Sequence, residues 1–85
     1  LETFFTAGEK EIKSWTIKRD SFAVDAAGEI HSDIQRGFIK AEVYSLSNLL
    51  KYQSEENLKN SGKIRQEGKN YIVKDGDIIF FKFNV

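Results

Sequence analysis

His31 and Asp33 are the two side chains whose types and spacing suggest chemistry, because an imidazole beside a carboxylate can form an acid–base pair or part of a metal site. One His with one nearby Asp supplies too few ligands for zinc, and no Ser or Cys nucleophile is placed to complete a triad. In the other interpretation, His31 ends a helix, where a cation is favoured, and Asp33 caps a turn. We favour this second interpretation.

The sequence also lacks the residues that usually bind and hydrolyse a nucleotide. The sequence contains no G-x-x-x-x-G-K-[ST] motif, and no other Gly-rich loop replaces it. We therefore predict that this chain hydrolyses nothing by itself and has no catalytic, cofactor-binding or metal site.

Aromatic and basic residues form a candidate surface for RNA or the ribosome, because aromatic rings stack on bases while cations contact phosphates. On one face of a sheet, strand alternation predicts Phe38, Lys40, Tyr44, Phe80 and Lys82. Four further cations extend its edge: Arg36, Lys63, Arg65 and Lys69. The alternative is an ordinary solvated face whose aromatic residues are covered by residues 46–60.

The segment 75–83 is the centre of the predicted fold. Asp75-Gly76-Asp77 is a turn sequence, and the β-branched and aromatic residues after it predict a strand. Alternation divides this strand between two faces, with Ile79, Phe81 and Phe83 on one and Ile78, Phe80 and Lys82 on the other. A strand that is apolar on both faces belongs in the middle of a sheet.

The N-terminal half predicts a hairpin and a helix. Residues 3–7 and 11–17 form the hairpin, with a loop at residues 7–10 and Trp15 in the core. Residues 22–31 form the helix, which Ser21 or Asp20 caps and in which Gly28 permits close packing on the sheet. A loop follows His31.

The C-terminal half predicts a strand at 38–44, with Ile39, Ala41 and Val43 toward the core. Short helices follow at 45–52 and 54–60, the second capped by Ser54. Two short strands, 63–67 and 70–73, surround Gly68-Lys69. The simplest topology is a single α+β domain at residues 1–85: a β-grasp (ubiquitin-like) mixed sheet with one main helix across one face and a short helical insert.

Composition narrows the possible partners. Thirteen basic residues balance thirteen acidic ones, so no overall charge attracts nucleic acid or membrane. Residues before Gln35 carry four basic and seven acidic side chains, and residues 35–70 carry seven and four, which predicts an acidic and a basic side if the fold separates them. No Cys is present for disulfides, and no apolar run approaches the ~20 residues of a membrane span. Because Leu1 replaces an initiator Met, we expect a domain excised from a longer chain.

Seven segments, spread in order along almost the whole chain, form a recognisable set: residues 4–8 (FFTAG), 11–17 (EIKSWTI), 26–33 (AAGEIHSD), 36–43 (RGFIKAEV), 62–65 (GKIR), 68–71 (GKNY) and 75–84 (DGDIIFFKFN). Together they resemble the C-terminal TGS domain of the YchF-type, Obg-like ATPases. The family usually has Pro where this chain has Glu9 and Val24, which weakens any transfer of contacts from those two places.

The resemblance implies a β-grasp fold and a parent protein with a P-loop NTPase domain and a coiled-coil arm. That parent is expected to bind ATP or GTP with Mg, to reside in the cytoplasm and to act in translation. The resemblance implies a non-catalytic regulatory module, expected to be monomeric, that contacts the ribosome or RNA. The alternative is an intramolecular docking module that packs on its own NTPase domain and responds to the bound nucleotide without touching RNA.

Overall fold

The computed structural model describes residues 1–8 and 10–85. Its strands are β1 (Glu2–Ala7), β2 (Ile12–Ile17), β3 (Phe38–Ser45), β4 (Arg65–Glu67) and β5 (Asp77–Phe83). Its helices are α1 (Ala23–Ile30), α2 (Ser32–Arg36), α3 (Leu46–Tyr52) and α4 (Glu55–Asn60). The predicted hairpin loop includes Glu9, which lies outside the described residues. Next to it, the Gly8 amide donates to the Glu11 carbonyl at 2.8 Å and brings the strand ends together.

The strands form one mixed sheet in the order β2-β1-β5-β3-β4. β5 lies at its centre, parallel to β1 and antiparallel to β3, which confirms the predicted central strand. Its apolar residues suit this place, since a central strand is covered on both faces. With α1 on one side and shorter helices on the other, the architecture is the predicted α+β, β-grasp-like fold.

The side of the sheet that α1 covers is termed the helix face. Its core is made by α1 and four strands: Phe4, Ile17, Ala23, Ala26, Ala27, Ala41, Val43, Ile79 and Phe81. The alanines of α1 allow the helix to approach the sheet closely. Phe4 and Phe81 meet edge to face, with ring centroids 6.3 Å apart. Trp15 packs against this core as predicted, and its Nε1 donates to Thr6 Oγ1 at 3.0 Å.

α1 begins without the side-chain cap predicted from Ser21 or Asp20. The amides of Ala23 and Val24 instead donate to backbone carbonyls in the loop 69–71, at 2.8 and 3.2 Å. These acceptors satisfy two of the four amides that a helix N-terminus leaves unpaired. The predicted cap is therefore wrong, because a loop distant in sequence supplies backbone oxygens at this position.

β3 starts with a β-bulge that changes which side chains are buried. The pairing with β5 shifts between Phe38 and Lys40, which makes Ile39 an extra residue on β3. Phe38 is turned to the helix face and is 7% exposed, whereas Ile39 is 59% exposed. The prediction that Ile39 is buried and that Phe38 lies on the opposite face is therefore wrong, although the alternation holds from Ala41 onward.

Two other segments differ from the prediction. Residues 70–73, predicted as a strand, do not form one, because the chain leaves β4 toward the start of α1, where Ile72 makes only an isolated antiparallel bridge with Phe22. Tyr71 and Val73 both pack on the helix-face core. The predicted loop after residue 31 contains the short helix α2.

The helical insert covers part of the opposite side of the sheet, termed the second face. Leu58 of α4 packs there against Tyr44 and Ile78. Ser54 caps α4 as predicted, since its hydroxyl accepts from the Asn57 amide at 3.1 Å. No helix in the described part of the chain is long and apolar enough to cross a membrane.

Candidate nucleic-acid interface

Lys40, Phe80 and Lys82 lie together on the second face. They are termed the RNA-contact patch, after the contact that the sequence predicts for them. Lys40 on β3 is paired directly with Lys82 on β5, and the neighbouring pair joins Glu42 to Phe80. Directly opposed residues on antiparallel strands share a face, and two like charges opposed in this way cost stability. Phe80 is 55% exposed. An exposed ring beside two ammonium groups can stack on a base while the lysines contact phosphates.

The other two predicted aromatic contacts are buried. Tyr44 lies on the second face, but the helical insert covers it and leaves it 5% exposed. Burial, together with the neighbouring Glu55 carboxylate, raises the pKa of Tyr44 above its ordinary value. Phe38 lies in the helix-face core because of the bulge. Neither ring is accessible to a base, so the patch has a single stacking residue.

Arg65 is engaged within the domain rather than lying on the second face. Its Nη2 donates to the Tyr71 hydroxyl at 3.2 Å and lies 3.8 Å from the Asp77 carboxylate. Its guanidinium also lies over the Tyr71 ring, 5.3 Å from the centroid. Asp77 is only 3% exposed, so Arg65 neutralises a buried carboxylate. This function accounts for the cation without an external ligand.

The remaining three predicted cations are dispersed. Arg36 pairs with Asp33 across one turn of α2. Lys63 lies in the turn after α4, where its amide donates to the Leu58 carbonyl at 2.9 Å. Lys69 lies in the turn after β4, beside the start of α1. The fold thus brings together three of the nine predicted residues, and these three form the RNA-contact patch.

Three carboxylates on the second face were missed by the sequence analysis. Glu42, Glu55 and Glu56 line a groove between β3 and α4, next to the RNA-contact patch. The same alternation that selected Lys40 also places Glu42 on this face, but only cations and aromatic residues were selected. Because acidic and basic side chains share this face, the fold does not separate the charges of residues 35–70 into a uniformly basic side.

His31 and Asp33 have structural functions. His31 ends α1, as expected, and also caps α2, since its Nδ1 accepts from the Asp33 amide at 3.0 Å. The Asp33 side chain accepts from Arg36 instead of capping a turn. Within residues 1–8 and 10–85, no group of three or more His, Cys, Asp or Glu side chains is arranged to bind a metal.

The N-terminus of α1 does not fit a nucleotide phosphate. The N-terminus of α1 is where a phosphate would be bound in a strand–loop–helix site. Its first two amides already donate to the carbonyls of residues 69 and 71, and Phe22, not a Gly-rich loop, precedes the helix.

Comparison with known proteins identifies relatives over the whole chain. The family model YchF-GTPase_C, described as a protein of unknown function (DUF933), matches residues 1–84. The chain is 55% identical over 84 residues to Obg-like ATPase 1 of Homo sapiens, covering 99% of this chain and 21% of that protein. It is 51% identical over 85 residues to the ribosome-binding ATPase YchF of Escherichia coli O157:H7, covering 100% of this chain and 23% of that protein.

A solved structure shows the same fold. The structure of the Schizosaccharomyces pombe YchF GTPase superposes with a TM-score of 0.89 at 37% sequence identity, covering 95% of this chain and 21% of that one. The chain spans about a fifth of the length of the curated relatives that it matches.

Proposed function

Because this chain belongs to the YchF-GTPase C-terminal family, we propose that it is a non-catalytic module through which a nucleotide-hydrolysing protein contacts the ribosome. The relative from Escherichia coli O157:H7 carries the name ribosome-binding ATPase and aligns with every residue of this chain. In this proposal the parent protein is cytoplasmic, and the domain itself is monomeric.

The chemistry is assigned to the rest of the parent protein. This chain has no P-loop sequence, and the N-terminus of α1 is already paired with backbone carbonyls. A separate NTPase domain would bind ATP or GTP with Mg. Turnover of ATP or GTP by the purified 85-residue chain would contradict this assignment.

RNA is the proposed contact, and the RNA-contact patch is the observation that carries it. Lys40 and Lys82 are directly opposed across two strands at a cost in stability, with the exposed ring of Phe80 beside them. A bound phosphate between the lysines offsets their repulsion, and a base on Phe80 replaces water at an exposed apolar surface. Because the patch has one ring and two cations, it matches one or two unpaired nucleotides rather than a duplex.

Titration of the isotope-labelled chain with single-stranded ribosomal RNA fragments at two salt concentrations tests this proposal. Amide shifts are expected at Lys40, Phe80 and Lys82, and the affinity is expected to fall as salt rises. Replacing both lysines by Gln removes two phosphate contacts and lowers the salt dependence by roughly 0.7 per contact in log K against log salt. Lys18→Gln, on an exposed turn away from the patch, is the matched control. Equal binding by the double variant and the control would overturn the proposal.

A specific observation supports the docking alternative. Phe22 and Ile72 are both exposed and lie side by side, because they are directly opposed in an antiparallel bridge. This exposed pair offers an apolar contact to another protein surface. In this alternative, Phe22→Ser would abolish binding to the NTPase domain, and that binding would persist at high salt, whereas RNA would shift no resonance of the chain.

A further inference from the structure

The groove between β3 and α4 combines an apolar floor with acidic walls. Its deeper part is a cavity of about 240 Å³, with Tyr44, Ile64 and Ile78 among its apolar lining and Glu42 and Glu55 among its polar lining. It continues into a hollow of about 360 Å³ that adds Glu56, Lys59 and Gln66. The groove thus has three carboxylates and one ammonium group, which makes it acidic overall.

Two of these carboxylates are positioned from opposite walls. On the sheet wall, Gln66 Nε2 donates to Glu42 Oε2 at 2.8 Å and orients that carboxylate. On the helix wall, the Glu55 carboxylate lies next to the buried Tyr44 hydroxyl, which contributes to the raised pKa of Tyr44. Both glutamates line the same cavity.

The carboxylates of the groove have no ion-pair partner among the described residues. In residues 1–8 and 10–85, no Lys or Arg nitrogen forms an ion pair with Glu42, Glu55 or Glu56. Lys59 lines the outer hollow without pairing to them. An external cation therefore gains two carboxylates without breaking an internal pair.

We propose that this groove binds an extended basic segment of a partner protein and takes one of its arginine side chains between Glu42 and Glu55. The guanidinium matches paired carboxylates geometrically, because it presents several donors in one plane. Its aliphatic stem packs on Ile64, which is only partly buried. A lysine fits less well, since its ammonium is a more strongly hydrated point charge.

This proposal is independent of the RNA contact proposed above. Carboxylates repel phosphates, so the RNA backbone is confined to Lys40 and Lys82. Phe80 borders both surfaces, because it also lines the cavity. The two surfaces are separable by mutation, because Glu55 and Glu56 belong to α4 whereas Lys40 and Lys82 belong to β3 and β5.

The test is a titration of the isotope-labelled 85-residue chain with a short blocked peptide that contains arginines and leucines. The control peptide has citrulline in place of each arginine, which keeps the shape and removes the charge. The arginine peptide is expected to shift the amides of Glu42, Glu55 and Ile64, and the citrulline peptide is expected to leave them unchanged. Glu42→Gln combined with Glu55→Gln should lower the affinity for the arginine peptide by about tenfold or more.

Matched variants separate this effect from a loss of folding. Glu29→Gln removes an exposed carboxylate on α1 and should leave peptide binding unchanged. Lys59→Glu adds a fourth carboxylate to the groove and should raise its affinity for the arginine peptide. The Lys40 and Lys82 variants should bind the peptide normally, even if RNA binding fails. Equal affinity for both peptides, unchanged affinity in the Glu42 and Glu55 double variant, or RNA-induced shifts of the Glu55 and Glu56 amides would overturn the proposal.

Discussion

The Tyr71 hydroxyl donates a 2.6 Å hydrogen bond to the carboxylate of Asp77, which is almost fully buried. The same carboxylate accepts from the Lys74 amide at 2.9 Å. The pair joins the loop after β4 to the first residue of the central strand. A buried carboxylate requires such donors, because an unpaired charge away from water is very costly.

Tyr71→Phe should lower the free energy of unfolding by about 1.5–3 kcal/mol, since it removes a hydrogen bond to a charged acceptor. Urea unfolding measures the change. Tyr52→Phe is the matched control, because Tyr52 is partly buried on the second face and its hydroxyl makes no hydrogen bond within the described residues. Equal effects of the two substitutions would contradict the function assigned to the Tyr71–Asp77 bond.

Stability should also depend on pH through Tyr71. Burial and the hydrogen bond to Asp77 raise the pKa of Tyr71 from 10.0 to about 12. The folded chain therefore binds this proton more tightly than the unfolded chain. The stabilisation is fully present below pH 10.0 and is lost as the pH rises through about 12. Unfolding measured across this range should show the gap between the wild type and Tyr71→Phe becoming smaller, and a constant gap would refute the linkage.

Gly37→Ala should strongly destabilise the sheet. A Cβ at Gly37 would overlap the Asn84 carbonyl oxygen, and this backbone atom cannot move without disturbing the end of β5. The expected loss is about 1–3 kcal/mol or more. Gly68→Ala is the control, because a Cβ there meets nothing within 4 Å. The control should be close to neutral in thermal or urea unfolding.

The bulge in β3 predicts unequal costs for two neighbouring truncations. Phe38→Ala should cost about 3–5 kcal/mol, because Phe38 packs against Phe81 with ring centroids 6.1 Å apart. Ile39→Ala should change stability by less than about 0.5 kcal/mol, because Ile39 lies largely in solvent. Unbroken strand alternation would make Ile39→Ala the more costly of the two substitutions. That result would reject the bulge.

Local sequence pattern was sufficient for most of the fold. The density of apolar residues in β5 predicted its central position, and Ser54 predicted the start of α4. Alternation failed at Phe38, since one inserted residue exchanges the two faces and leaves no signal in composition. The cap of α1 could not be predicted either, because its acceptors are backbone oxygens in the loop 69–71.

The candidate site was less predictable for a related reason. Lys40 and Lys82 were placed correctly because strand periodicity alone decides their face. Arg65 could not be recognised as an internal partner of Asp77, since that contact depends on how the loop after β4 packs. Glu55 lies on a helix, and its position above β3 follows from the packing of Leu58 rather than from any local pattern.

The position of β5 between β1 and β3 has a consequence for how this domain is made. The turn before β5 contacts β1 through the Thr3 amide, which donates to Asp75 Oδ1 at 2.8 Å across 72 positions of sequence. During synthesis, the hairpin of β1 and β2 and the strand β3 emerge first, and they have no common neighbour until residues 77–83 follow. Such long-range pairing raises the contact order and slows folding. The sheet therefore forms cooperatively only after β5 has left the exit tunnel. A nascent chain that stalls before β5 has emerged exposes the unpaired edges of β1 and β3 to chaperones.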